Sequence, residues 1–399
     1  MKKFSYLCGM MLMSLNMIAQ INDAENWDLF LDENFAGNRW WNTNTFKEQS
    51  SDPSFQQRWD CMTAEWWPYF ITTDENTHQA YQPSHARFGT DQKMRLVAEC
   101  ISPLTPLVCA NGDYLLPQNA YCSHTYNGHY YPPHPSIFYY SGTIETTQFD
   151  CWFGYYEIKC QLPVHPGEGS AFWLFGTGPN TYEEIDIFEH SLGDSQATNN
   201  MATDFSCGIW YNPNGTNYNP NGYNDGADNF SKRFIAVSPT NDLTQEHVFG
   251  MEWLPDRITW FFDGQVINEC TNRSVIPQHP LRLKVTHDVK NDAINAVKPK
   301  LPIWTSSDEM LIDYVKYYKI RNDCETDVLI QSANDWVNLN PGTKKTITIG
   351  SPTGINVPSN SNKCLRASKS ITITGEGGFS IPLGTQVTLM THECVNYEK

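Results

Sequence analysis

A chain of 399 residues is long for one minimal domain and suits a large domain with a small companion, and 40% hydrophobic content is enough to bury a core. A formal net charge of −17, with no basic run after the N-terminus, excludes a nucleic-acid partner, because phosphate binding needs clustered lysine and arginine. Aromatic content of 13%, with 13 Trp and 20 Tyr, fits either a β-rich core or a site for flat, polar-edged ligands.

Residues 1–19 read as an export signal. Lys2 and Lys3 supply the positive start, Phe4 to Ile18 the apolar stretch, and Ala19 the small residue before a cut. The stretch is shorter than the ~20 apolar residues of a spanning helix, and nothing later is longer. The expectation is a secreted or periplasmic protein without a transmembrane segment. Of 12 cysteines, Cys8 leaves with the signal and 11 remain, so at least one has no partner within the chain. Export permits disulfides, and the wide spacing does not resemble a metal cluster; the pairing stays open.

From Asn26 to about Lys319 short apolar–polar alternation is broken by Gly, Pro and Asn turns, as in Met94–Ala98, Gly154–Lys159, Arg257–Phe262 and Met310–Tyr318. Many short strands with frequent turns predict a β-sandwich or jelly roll. Two stretches, Pro103–Pro135 and Trp210–Phe230, read as long loops that would wall the mouth of a sandwich. After about Asn322 the texture turns Ser/Thr-rich, with short strands at Thr346–Ile349, Ser370–Thr374 and Gln386–Met390. The predicted organisation is a signal at 1–19, a large β domain at 20–322 and a small β-rich accessory module at 323–399.

The most informative stretch is Glu183-Glu184-Ile185-Asp186-Ile187-Phe188-Glu189-His190. On a helix, Glu184 and Glu189 would diverge by about 140° and could not converge on one substrate. On a regular strand Glu184 and Asp186 share a face, and Glu189 falls on the other. One extra residue between Asp186 and Glu189, a β-bulge, would put all three acids on one face and turn Ile185 and one or both of Ile187 and Phe188 into the core. Retaining glycoside hydrolysis needs two carboxyls about 5–5.5 Å apart, one ionised and one protonated. Three crowded carboxylates cannot all ionise comfortably, so one is expected to keep its proton. Taken alone the string is equally a solvated acidic strand.

Its surroundings resemble glycoside hydrolase family 16, the laminarinase, lichenase, agarase, porphyranase and carrageenase family. Phe153-Gly154-Tyr155-Tyr156-Glu157-Ile158-Lys159 and Ala171-Phe172-Trp173-Leu174-Phe175-Gly176 are similar to the paired strands before the family's catalytic strand. Glu184-Ile185-Asp186-Ile187-Phe188-Glu189 matches the bulged form of its signature. Gly250-Met251-Glu252-Trp253, Ile258 to Gly264 and Met310 to Tyr318 follow in family order, and Trp27 to Phe35 and Tyr140-Ser141-Gly142 fit at the front. The resemblance implies a concanavalin-like β-jelly-roll and an endo-β-glycanase acting by retention, with Glu184 as nucleophile, Glu189 as acid/base and Asp186 as assisting carboxylate. It places Trp173 in the substrate cleft, where the residue could equally be a core Trp. His190, next after the acid/base, would point away from the cleft as a structural histidine. No cofactor is implied for catalysis. Asp313 matches a position that in relatives can hold a structural calcium; the plain alternative is a surface carboxylate.

One departure concerns substrate. Laminarinase-type members carry Trp-Pro where this chain has Gly169-Ser170, and the texture that follows looks more like the algal galactanases. The expected partner is therefore a polysaccharide with internal β-1,3 or β-1,4 linkages, of agar, porphyran or carrageenan type, with laminarin or mixed-linkage β-glucan as the alternative. A non-catalytic jelly-roll lectin would have no use for the acid triplet; a transglycosylase on the same scaffold stays open. A monomer is expected.

Overall fold

A computed structural model describes residues 27–42, 45–61, 79–100, 107–108, 114–115, 124–126, 129–131, 139–146, 148–164, 168–178, 181–191, 202–212, 228–236, 242–289, 307–339, 342–359, 363–374, 377–383, 385 and 387–391. The export segment read at 1–19 lies outside them. The large unit is built from β1 (Trp27–Glu33), β2 (Met94–Cys100), β3 (Tyr139–Thr146), β4 (Gly154–Gln161), β5 (Glu168–Gly178), β6 (Thr181–Ser191), β7 (Asp204–Asn212), β8 (Asp228–Ala236), β9 (His247–Leu254), β10 (Arg257–Phe262), β11 (Gln265–Cys270), β12 (Arg282–Val289) and β13 (Ser307–Ile320). Alternation located β10 to the residue and the other three segments to within a few residues.

These strands form the two layers of a jelly-roll sandwich, and each pairs antiparallel with its neighbours. One layer runs β2-β13-β4-β9-β10-β11, with β1 laid on the second half of β13. The other runs β3-β12-β5-β6-β7-β8. β3 belongs to both, pairing β2 through Tyr139 and Tyr140 and β12 through Gly142 to Glu145. Between the layers lie Phe172 and Leu174, Ile185, Ile187 and Phe188, Leu283 and Val285 from one side, and Tyr156, Ile158, Phe249, Met251, Trp260 and Tyr317 from the other. Each such side chain contributes roughly 1.5–3 kcal/mol of burial. Phe188 meets Phe249 at a centroid distance of 4.3 Å, and Tyr156 stacks on Tyr317 at 4.6 Å.

The first long loop read from sequence carries two short hairpins, Leu107–Val108 with Tyr114–Leu115 and His124–Tyr126 with His129–Tyr131. Tyrosine is a good strand former, so the aromatic tract supplies local pairing even among Pro and Gly. Of the second, Trp210 to Asn212 close β7 and Asp228 to Phe230 open β8, while 213–227 lie outside the described residues.

Beyond Ile320 the sheet changes kind. β14 (Asp323–Ile330), β15 (Lys344–Ile349), β16 (Lys363–Ile373) and β17 (Val387–Thr391) pair in parallel, and Ile355–Asn356 pairs parallel with Phe379–Ser380. Parallel neighbours need crossovers, and here the chain coils. α1 (Ala333–Asn338), started by a Ser332/Asp335 capping box, makes the first crossover. This unit has its own core of Ile330, Trp336, Ile347, Ile349 and Leu365. Its buried Arg366 forms an ion pair with Asp256, in the turn between β9 and β10 of the large unit.

Among the described residues Cys61, Cys151 and Cys160 are buried thiols, and burial pushes Cys61 up to about 12. Cys324 is disulfide-bonded. No helix among the described residues is long and apolar enough to cross a membrane.

Candidate active site

Strand β6 is bulged between Asp186 and Glu189. Across β5, Phe172 lies opposite Phe188 and Trp173 opposite Asp186, which leaves Ile187 as the extra residue. Across β7 the register likewise breaks between Asp186 and Glu189, opposite Gly208 and Ser206. Ile185, Ile187 and Phe188 all lie in the core, so two consecutive apolar residues turn inward and the alternation resumes with Glu189 on the outer face. Trp260, buried in the opposite layer, donates its indole N–H to the Asp186 carbonyl at 2.8 Å, and Ser206 Oγ donates to the Glu189 carbonyl at 3.4 Å. The bulge is thus held from beneath and from the side.

Directly opposed residues of antiparallel strands share a face, so the pairing maps the outer face of this layer. Glu184 lies between Phe175 and Trp210; Asp186 between Trp173 and Gly208; Glu189 between Ala171 and Ser206. Glu184 and Glu189 are half-buried and Asp186 is 4% exposed. The next strand adds Arg282 opposite Phe175, Lys284 opposite Trp173 and Thr286 opposite Ala171, and β3 adds Glu145 and Thr143. The row through Glu189 therefore carries small side chains, and the rows through Glu184 and Asp186 carry the aromatics. Such a surface can stack sugar rings beside paired carboxyls.

All three carboxylates read from sequence come together on this face, with Trp173. That indole is 8% exposed, stands outside the apolar cluster between the layers, and shares a face with the three carboxylates. Glu183 turns the opposite way. It is buried beside His279 at 3.3 Å, and burial raises its carboxyl while His279 opposes the rise. His190 faces inward and is fully buried, in register with Ser170 and through it with His287. Ser170 Oγ and His287 Nδ1 lie 3.1 Å apart, and burial pushes His287 down to about 3.

Sequence reasoning missed Phe175, Trp210, Arg282, Lys284 and Glu145. Phe175 follows Trp173 by the strand period, and Arg282, Lys284, Thr286 and Asp288 alternate with Leu283, Val285 and His287 in a strand whose interior is buried; both patterns were available. Trp210 and Glu145 needed the register.

The family model for glycosyl hydrolases family 16 matches residues 73–301, more than half of the 399 residues. The chain belongs to glycosyl hydrolases family 16. Among curated relatives of this family 16 chain, the kappa-carrageenase of Pseudoalteromonas carrageenovora is 26% identical over 154 residues, covering 34% of each chain. The beta-glucanase of Acetivibrio thermocellus is 26% identical over 224 residues, 55% of this chain and 54% of the relative. The chain thus spans about a third to a half of the length of these relatives. Similar solved structures include the laminarinase catalytic domain of Thermotoga maritima MSB8, at 19% identity and a TM-score of 0.48, covering 74% of this chain and 100% of that one. Porphyranase B of Zobellia galactanivorans aligns at 13% identity and a TM-score of 0.48, over 74% and 94% of the two chains.

The calcium position implied by the resemblance does not suit a cation in this member of the family. Asp313 is the extra residue of a bulge in β13 opposite Lys159 and Cys160. Lys159 Nζ donates to its Oδ2 at 2.9 Å, Lys93 Nζ stands 3.9 Å from its Oδ1, and Glu246 bridges the two lysines. Two ammonium groups already balance the carboxylates, and a metal ion would have to displace them. Among the described residues no group of three His, Cys, Asp or Glu side chains forms a metal cage. The expected result is a thermal midpoint that moves by less than about 1 °C between excess EDTA and millimolar calcium; a larger calcium-dependent rise would restore the metal site.

Proposed function

We propose that this family 16 chain is a secreted retaining endo-β-glycanase that cleaves internal β-linkages of a polysaccharide. The observation that carries the reading is the β6 bulge, which gathers Glu184, Asp186 and Glu189 on one aromatic-lined face. Glu189 protonates the leaving glycosidic oxygen while Glu184 attacks the anomeric carbon. Water, deprotonated by Glu189, then releases the sugar with its configuration retained. Asp186, buried between the two, orients the nucleophile and limits the charge that the trio carries.

Within that reading an algal galactan is the favoured substrate. Gly169 lies opposite Ser191 and Asp288 on the cleft side of β5, so the floor has no side chain where laminarinase-type members place a Trp. Ser170 turns inward to His287. The kappa-carrageenase relative points the same way. The test is reducing-end release from agarose, porphyran, carrageenans, laminarin and mixed-linkage glucan, with early products followed by NMR. Release from a galactan with retained configuration is expected. An inverted first product would refute the double displacement, release from laminarin alone would refute the galactan, and binding without release would leave a lectin.

A further inference from the structure

The cleft floor contains a buried ion pair for which the mechanism above has no use. Lys284 of β12 is 1% exposed, and its Nζ donates to Glu145 Oε2 at 2.7 Å; the Glu145 side chain is 3% exposed. The same ammonium lies 5.5 Å from the ring centroids of both Trp173 and Phe175, whose rings are 5.7 Å apart. Trp173 is the cross-strand partner of Asp186, and Phe175 that of Glu184. Lys284 therefore sits two strands from the proposed assisting carboxylate, on the same face, with an aromatic wall between. Burying a lysine and a glutamate in a sheet costs more than burying two apolar residues of the same volume, so stability does not explain the pair.

We propose that Lys284 is a positioning residue: tied to Glu145, it clamps the Trp173 and Phe175 rings against the cleft floor and balances the field at Asp186 and Glu184. The role rests on the glycanase reading of those carboxylates. Among the described residues, the charges on this face beside the pair include Arg282, 3.9 Å from Glu145 and 4.0 Å from Asp150; Asp60, the register partner of Glu145; and Asp288, further along β12. From β6 come Glu184, Asp186 and Glu189. Removing the lysine leaves a buried negative charge near the carboxylates; removing the glutamate leaves a buried positive one. The two single variants must then push the catalytic ionisation in opposite directions, which a purely structural contact would not do.

The experiment is the pH dependence of kcat/KM for Lys284→Met, Glu145→Gln and the double variant. The substrate is the polymer that the wild type cleaves, with Glu184→Gln as the inactive reference. In Lys284→Met we expect kcat to fall about 10²-fold with KM nearly unchanged, because loosened rings misplace the bound sugar. The acidic limb should move up by about one pH unit in Lys284→Met, move down in Glu145→Gln, and return to its wild-type position in the double variant. Limbs that coincide in all variants, with activity tracking the loss of folded protein, would overturn the role while leaving the glycanase reading intact. A Glu184→Gln variant as active as the wild type, or a wild type silent on every polymer, would overturn both. If the single variants fail to fold, the double variant carries the test: wild-type kcat in it would refute the clamp, and an about 10²-fold loss at an unmoved limb would support it.

Discussion

Replacing Glu184 by Ala is expected to lower turnover by about 10⁴-fold or more while leaving the fold and substrate binding in place, because in the proposed double displacement it removes the attacking atom and little else. Glu184 is half-buried on the cleft side of the sheet, whereas its neighbours Glu183 and Ile185 face inward, so truncation empties space in the cleft without opening the core. Added azide separates the two glutamates. In Glu184→Ala, azide enters from the nucleophile's side, and an activated glycoside gives the glycosyl azide of inverted configuration. In Glu189→Ala, an activated substrate still forms the glycosyl-enzyme on Glu184, and azide releases it with configuration retained. The same azide product from both variants, or substantial residual turnover in Glu184→Ala, would move the nucleophile elsewhere.

The second large effect lies in the N-terminal segment. Glu33 and Glu48 have fully buried side chains, and Arg39 Nη1 donates to both, at 2.9 and 2.8 Å. Arg58 Nη1 reaches Glu33 at 3.4 Å, and the Trp59 indole donates to it at 3.1 Å. Trp59 and Asp60 pair with β3, so this cluster fastens the segment along the edge of the cleft layer. Arg39→Met should cost about 3–5 kcal/mol, because it strands buried carboxylates without their main counter-charge. That is a fall of about 5–8 °C in thermal midpoint for a domain of this size, read by calorimetry. A change within about 1 °C would show that the pair is solvated in solution.

Two buried groups give the stability a predicted pH dependence. Burial raises Glu48 to about 7, with Arg39 opposing and Glu33 adding to the rise. The fold therefore favours its protonated form, and that contribution is complete below the ordinary carboxyl value of 4.5 and lost as pH rises through 7. His287 runs the other way. Its value of about 3, against an ordinary 6.5, stabilises the fold above 6.5 and is lost as pH falls towards 3. Between 4.5 and 6.5 the two slopes cancel, so these groups leave a plateau there and a decline below it. Glu48→Gln should convert the plateau into a rise of about 1.4 kcal/mol per pH unit. A variant whose stability curve parallels the wild type would remove Glu48 as the cause.

Much of the architecture was legible as alternation, because a strand with one buried face writes period two into its own residues. β10, β4 and the heart of β13 show this directly. The hairpins within 103–135 were not legible, since Pro and Gly there signal turns without saying what the residues between them pair with. The acid triplet was readable for a stricter reason: only one extra residue between Asp186 and Glu189 lets three carboxylates share a face while Ile185 stays inside. That inference needs no neighbour.

What the sequence determined by itself is therefore local: strand positions, a bulge between Asp186 and Glu189 and the three acids that it aligns; the register with β5 made Ile187 the extra residue. The tertiary structure decided which strands lie beside β6. It brought Trp210 to one side of Glu184, Phe175 to the other, and Lys284 with Glu145 behind Trp173. It also set two ammonium groups against Asp313, which its own strand leaves as an ordinary surface carboxylate. A residue's face follows from its own strand's period, but its cross-strand partner follows from register, which burial of the whole sheet selects.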